Sequence, residues 1–424
     1  MSSLKPLVFF SVLDKIILSA QSHLPALIVA AFYDVSDYGD FMYSYSVAIL
    51  ISCLVVFIDD KVVKNEYLDK KNSNLFPLLS LIRTLIIVIV SFLFILISSL
   101  WIKNDSLLRI FQFTVFFAVS AISYGHIIKL ESDLNLRKLS IIRVFSFVIS
   151  ITLCFYFSLN KFPIEYNIYA MISGATLNFI FLFSTSDFAI RSKDVFGSKK
   201  VVKKILKQSA PFGIAAVSYM VYMRTDTIMI DYFLTKDDVG IYSLAVQAIT
   251  IATLVLAPIQ VIAFPKLKEM YKVNHLQYHN KLIQFTSFGV LLFLLGFIII
   301  ALLMSYLIFW NYEEFSESLP ILFILFFSAL CTAVSVLRSS HITFEGLGNY
   351  LLYSQIIALF INLSLNFSLI PIYGIKGAAI STLISQLCGL ILSNLFFNKL
   401  KMFLRIQLKS LNFIKLFKLI KLFK

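Results

Sequence analysis

Charge is scarce in this chain. Asp, Glu, Lys and Arg make up 14% of its 424 residues, against about 25% in soluble globular domains. A water-soluble fold is thereby excluded, and a composition 59% hydrophobic with 43 Phe points to lipid as the solvent. Cysteine is nearly as rare. Cys53, Cys154, Cys331 and Cys388 lie far apart inside apolar runs without a C-x-x-C pair, which excludes a disulfide framework and a cysteine-based zinc site. No G-x-x-x-x-G-K-S/T occurs, so ATP hydrolysis at a P-loop is excluded. His275 and His279 stand four apart in a basic loop but lack the Glu of H-E-x-x-H, and neither a metal nor another cofactor is expected. A cleavable leader is not expected either: the first apolar run carries Asp14 and Lys15, has no small-residue cleavage site and reaches spanning length.

What the chain does have is apolar runs of about 20 residues, the length that crosses a bilayer. Twelve are expected, over 7–31, 41–58, 76–101, 107–128, 139–159, 166–188, 205–233, 239–263, 282–307, 319–337, 350–370 and 377–397. The net charge of +14 comes from basic residues between these runs, where they set membrane topology rather than contact nucleic acid. With the N-terminus inside, 28 of the 37 Lys and Arg fall in inner segments and four in outer loops. Both termini are therefore expected in the cytoplasm. The outer loops, such as "NDS" (104–106) and "TKDD" (235–238), leave no room for an external catalytic domain. No catalytic residue is expected, and function must lie within the bundle.

The two halves repeat. A shift of 201 residues lays "FYDVSDYGDFMYSYSVAI" (32–49) over "FLTKDDVGIYSLAVQAIT" (233–250), matching Phe32 to Phe233, Asp37 to Asp238 and Gly39 to Gly240. Each half holds six spans, so the halves run in the same sense about an axis along the membrane normal. The expectation is an all-α integral membrane protein of twelve transmembrane helices in two six-helix lobes. Residues 1–188 form the N-lobe, 189–204 a basic cytoplasmic linker, 205–398 the C-lobe, and 399–424 a basic amphipathic cytoplasmic tail. In the tail, "KSLNFIKLFKLIKLFK" reads as a helix on an anionic inner leaflet.

"YMRTDTIMIDYFL" (222–234) puts an arginine and two aspartates into a span. Ionisable groups there are costly and usually face a cavity or a partner. Arg224 and Asp231, seven apart, share a helix face, while Asp226 points elsewhere. Arg224 is the main candidate for holding an anionic ligand; its alternative is a structural ion pair. Lys15 and Arg83 would add to a positive cavity unless they snorkel to the interface, with Asp14 the neutraliser of one of them. Arg109 and Arg143, at span ends, are expected to snorkel. His23 falls at the repeat position of Arg224. Asn362 and Asn366, four apart, either line the substrate path or bond between helices. Asp226 also belongs to the substrate-binding candidates, and Asp14, Asp226 and Asp231 are the candidates for ion coupling.

"MRTDTIMIDYFLTKDDVGIYSLAVQ" (223–247) resembles the span seven–eight region of polysaccharide flippases of the Wzx type, in the multidrug/oligosaccharidyl-lipid/polysaccharide exporter superfamily. "NLSLNFSLIPIYGIKGAAISTLISQ" (362–386) is similar to that family's span eleven–twelve signature, an Asn-rich helix, Pro, then G-x-x-G-A-A. The resemblance implies a MATE-like fold with a cationic central cavity. It also implies export of an undecaprenyl-diphosphate-linked oligosaccharide, an O-antigen repeat unit in the leading reading, across a bacterial inner membrane. Arg224 and Asp226 match the family's span-seven R-x-D pattern. Expected partners are that lipid-linked substrate, membrane lipids, a polysaccharide polymerase and a chain-length regulator. The alternatives are an organic-cation antiporter of the MATE branch, which arginine in the cavity opposes, and an integral-membrane polysaccharide-modifying enzyme, which the short outer loops oppose.

Overall fold

The computed structural model describes residues 4–70, 75–99, 104–184, 199–311, 313–396 and 398–411. Secondary structure among them is entirely helical. The part of the tail at 412–424 and the linker up to 198 lie outside the described residues.

The chain divides into two compact units, Met1–Ile228 and Met229–Lys424. The first holds α1 (Leu4–Phe32), α2 (Val35–Ser52), α3 (Asp60–Lys70), α4 (Leu75–Ser98), α5 (Asn104–Ile122), α6 (Tyr124–Ser132), α7 (Leu136–Leu159), α8 (Glu165–Ser184) and most of α9 (Lys199–Phe233). The second holds α10 (Lys236–Thr253), α11 (Leu256–Val273), α12 (His275–Asn311), α13 (Ser318–Val334), α14 (Arg338–Phe344), α15 (Gly348–Tyr373), α16 (Ile375–Gln386) and α17 (Asn398–Ser410). Every expected span has a helical counterpart. Among the described residues eleven helices are long and apolar enough to cross a membrane. The twelfth expected span lies in α9, 35 residues long, whose polar and charged residues, among them Lys207, Arg224 and Asp226, dilute its apolar character.

Small residues bring the helices of the first unit together. Ser146, Ser150, Cys154 and Ser158 form an i, i+4 stripe on α7, and all four are buried. The stripe faces α8, where Ser150 Oγ donates to the Ala170 carbonyl at 2.9 Å and a Cβ on Gly174 would strike Ser150. In lipid no hydrophobic force separates one apolar face from another, so close backbone approach and interhelical hydrogen bonds drive such contacts.

The second unit uses glycine the same way. Gly374, at φ +59°, ends α15, and a Cβ on Gly377 would fall against the Leu369 carbonyl. The spacing of the "GIKGAA" motif is thus one turn followed by one close contact. Gly377→Ala is expected to destabilise by about 1–3 kcal/mol, as overpacking does, read as a lowered melting temperature in detergent. An unchanged melting temperature would show that α15 and α16 separate without cost.

The repeat is visible in element boundaries. α2 spans Val35–Ser52 and α10 spans Lys236–Thr253, displaced by 201 residues at both ends. α1 ends at Phe32 and α9 at Phe233 with the same displacement. The caps differ. At α10, Thr235 and Asp238 form a reciprocal capping box. At α2 the equivalent residues are Asp34 and Asp37, and Asp34 makes no side-chain cap bond.

Candidate functional site

Arg224 lies on α9 among buried neighbours: Tyr222, Thr225, Asp226 and Thr227 are each under 9% exposed. Its guanidinium carbon is 5.3 Å from the centre of the Tyr45 ring on α2. Tyr45 is itself buried and hydrogen-bonds Ser22 of α1. Among the described residues Arg224 forms no ion pair. A guanidinium has five N–H donors in a planar fork matched to phosphate oxygens, and an aromatic face supports it without neutralising it.

The other membrane arginines of this unit are committed. Arg143 Nη1 meets both carboxylate oxygens of Asp14 at 2.5 Å, and the two side chains are 6% and 3% exposed. Arg109 binds Asp40, and its Nε reaches Glu165 at 2.9 Å; Ser106 Oγ donates to the same Asp40 at 2.6 Å. The snorkelling expected of Arg109 and Arg143 is therefore corrected to ion pairing between helices. Burial explains the change, because a desolvated guanidinium is stable only with acceptors close by. Asp14 neutralises neither Lys15 nor Arg83, as had been expected, but Arg143.

Arg83 is also engaged. It donates to the Ile58 carbonyl and to Asp60 at 3.1 Å, and its guanidinium carbon sits 3.3 Å from the centre of the Tyr124 ring. Lys15 is exposed and has no hydrogen bond or ion pair among the described residues. His23 is half-buried on α1. Asp226 is buried, and Asp231 pairs with Lys236 at 2.7 Å. In the second unit Asn362 and Asn366 are fully buried, and Asn366 Nδ2 donates to Asn362 Oδ1 at 3.1 Å. Arg224 and Tyr45 are the candidates the structure brings together.

Sequence reasoning missed Arg338, which was counted among the loop cations. It is 2% exposed, donating from Nε to Asn394 Oδ1 at 2.9 Å and from Nη2 to Ser393 Oγ at 3.1 Å. Its acceptors lie where the last span departs from α-helical geometry, through a π-turn at Leu387–Ile391 and a 3₁₀ turn at Leu392–Leu395. Asn394 in turn donates to Gln407 of α17 at 3.0 Å, and Gln407 to Ser335 at 2.8 Å. The described start of the tail is thus docked onto its own unit, with Leu400, Phe403 and Ile406 buried. Lys401, Arg405 and Lys409 remain on its exposed side.

Outside the spans, Tyr33 joins the loop after α1 to the loop after α7. Its hydroxyl donates to the Phe162 carbonyl at 2.7 Å and accepts from Asn167 Nδ2 at 3.1 Å. Burial raises its pKa, which keeps the phenol a donor. Among the described residues no three His, Cys, Asp or Glu side chains converge as a metal site.

An all-helical bundle whose spans carry paired arginines and one arginine without a carboxylate defines a multi-pass membrane protein. Residues 22–271 match the family described as "Polysaccharide biosynthesis protein", and the chain belongs to that family. The fold is shared with solved exporters of one superfamily. An outward-facing multidrug-resistance MATE transporter of the MOP superfamily superposes with a TM-score of 0.65 at 13% identity, covering 95% of either chain. The lipid II flippase MurJ in its inward closed conformation gives 0.64 at 16% identity over 97% of this chain and 92% of that one. A MOP superfamily transporter from Pyrococcus furiosus gives 0.56 at 14% identity over 93% and 95%. No curated protein matches the sequence.

Proposed function

We propose that this protein is a flippase that carries a lipid-diphosphate-linked oligosaccharide, an O-antigen-type repeat unit, from the cytoplasmic to the periplasmic face of a bacterial inner membrane. Arg224 carries the reading. It is a cation set in a span, backed by Tyr45 and without a carboxylate among the described residues. A diphosphate supplies the missing counter-charge and fits the guanidinium fork. Family membership supports polysaccharide as the product served, and a lipid II flippase among the fold relatives supports a lipid-linked cargo. Both termini are proposed to be cytoplasmic, on the distribution of basic residues.

Reconstitution tests it. Vesicles holding the full chain and a fluorescent undecaprenyl-diphosphate disaccharide are treated with a membrane-impermeant glycosidase. The protected half of the sugar is expected to become accessible faster than in protein-free vesicles. Equal rates, with uptake of tetraethylammonium by the same vesicles, would replace this reading with a cation antiporter. Chemical conversion of the disaccharide before any glycosidase is added would replace it with an enzyme.

A further inference from the structure

We infer that the first unit carries a second binding site, for a neutral sugar, in a cavity at its outer end. The outer assignment rests on the topology proposed above; the cavity itself does not. It has a volume of about 390 Å³ and is lined by the loop after α1, the start of α2, the loop after α7 and the start of α8. That size lies within the ~300–1,000 Å³ usual for ligand pockets.

The walls are fixed before any ligand arrives. Tyr33 ties the two loops together through Phe162 and Asn167. Lys161, in a left-handed conformation at φ 54°, donates to the Phe32 carbonyl. Arg109 holds Glu165 at the rim. Preorganised groups of this kind lower the ordering cost of binding.

Two lining groups have no such structural work. The side chains of Asp34 and Asp37 accept no hydrogen bond and form no ion pair among the described residues. Their repeat equivalents, Thr235 and Asp238, are occupied in the capping box of α10. Replacing the Thr by a second Asp removes the hydroxyl donor the box uses and sets two like charges together. The helix dipole favours acids in this first turn, yet it leaves their lone pairs unused.

The lining selects the ligand chemistry. The carboxylates do not converge as a metal site. Lys161 and Arg109 on the same wall oppose an organic cation, and the carboxylates oppose an anion. Acceptors from Asp34 and Asp37, unused ammonium donors on Lys161, and the rings of Phe32 and Phe162 suit a neutral molecule. Such a molecule donates and accepts through hydroxyls around its edge and offers an apolar C–H face. A pyranose does both.

Saturation-transfer NMR on the full chain in lipid nanodiscs tests this, using glucose, galactose and N-acetylglucosamine as probes. At least one is expected to bind, and Asp34→Asn/Asp37→Asn to weaken it about tenfold or more, since each bond to a charged acceptor is lost. An unchanged melting temperature shows that the double variant is folded. Arg224→Ala is expected to leave sugar binding unaltered, so loss of transport there with binding intact separates this site from the proposed transport path. No signal from any of the three sugars, or equal binding by the double variant, would overturn the site. Displacement of every sugar by tetraethylammonium or sodium at lower concentration would overturn its ligand class.

Discussion

Arg143→Ala is expected to cost about 3–5 kcal/mol, the penalty for breaking a buried pair and leaving one charge alone. The pair joins α1 to α7 through two 2.5 Å contacts, with both side chains almost completely buried. Removing the guanidinium strands the Asp14 carboxylate in a medium that cannot solvate it. The measurement is protein abundance in the membrane together with melting temperature in detergent; both should fall. Asp14→Asn should also destabilise, because the amide keeps the shape but strands the arginine. The double change Asp14→Leu/Arg143→Met should recover most of the loss, since apolar replacements of a buried pair are often neutral or better. Normal abundance of Arg143→Ala would show that the pair is not structural.

Arg224→Ala should give the opposite pattern: normal abundance and no surface polysaccharide. The arginine has no carboxylate to strand among the described residues, so its removal leaves the fold intact. Losing two charge-assisted bonds to a diphosphate should slow transport about 100-fold or more. Arg224→Lys should keep part of the rate, because the charge remains while the planar fork is lost. The direction is favoured by the membrane itself: two negative charges moving outward gain ~4–5 kcal/mol per 100 mV of inside-negative potential. The cation therefore need only ease entry, and tight binding would slow release. Reduced abundance of Arg224→Ala, restored by neutralising Asp226, would make the residue structural. Full transport at normal abundance would remove Arg224 from the path.

The positions of the spans were legible because hydropathy and spanning length are local properties. The repeat was legible because a 201-residue displacement preserves both chain sense and turn chemistry. Partnerships were not. Asp14 and Arg143 are 129 residues apart, and helical periodicity says which residues share a face, never which helix that face will meet. Arg109 looked like an interfacial cation because Asp40 and Glu165 belong to helices distant in sequence. Arg338 was hidden differently: its run ends an apolar segment as a loop would, and the π-turn that gathers its acceptors leaves no mark in composition. For Asn362 and Asn366 the i, i+4 spacing alone indicated a shared face, and the structure bonds them to each other.

α9 has one further consequence. Its 35 residues run about 52 Å at 1.5 Å each, whereas the hydrocarbon layer is only about 30 Å thick. A single unbroken rod is therefore anchored in the bilayer near Arg224 and extends well beyond it at the other end. There Lys204 holds Glu66 of α3 at 2.6 Å. Such a rod acts as a lever. A slight tilt about its embedded part is magnified at the protruding end, enough to part an ion pair that spans no more than a contact distance. Occupancy at the membrane-embedded arginine would thus be felt mechanically at Glu66 without any bond changing in between.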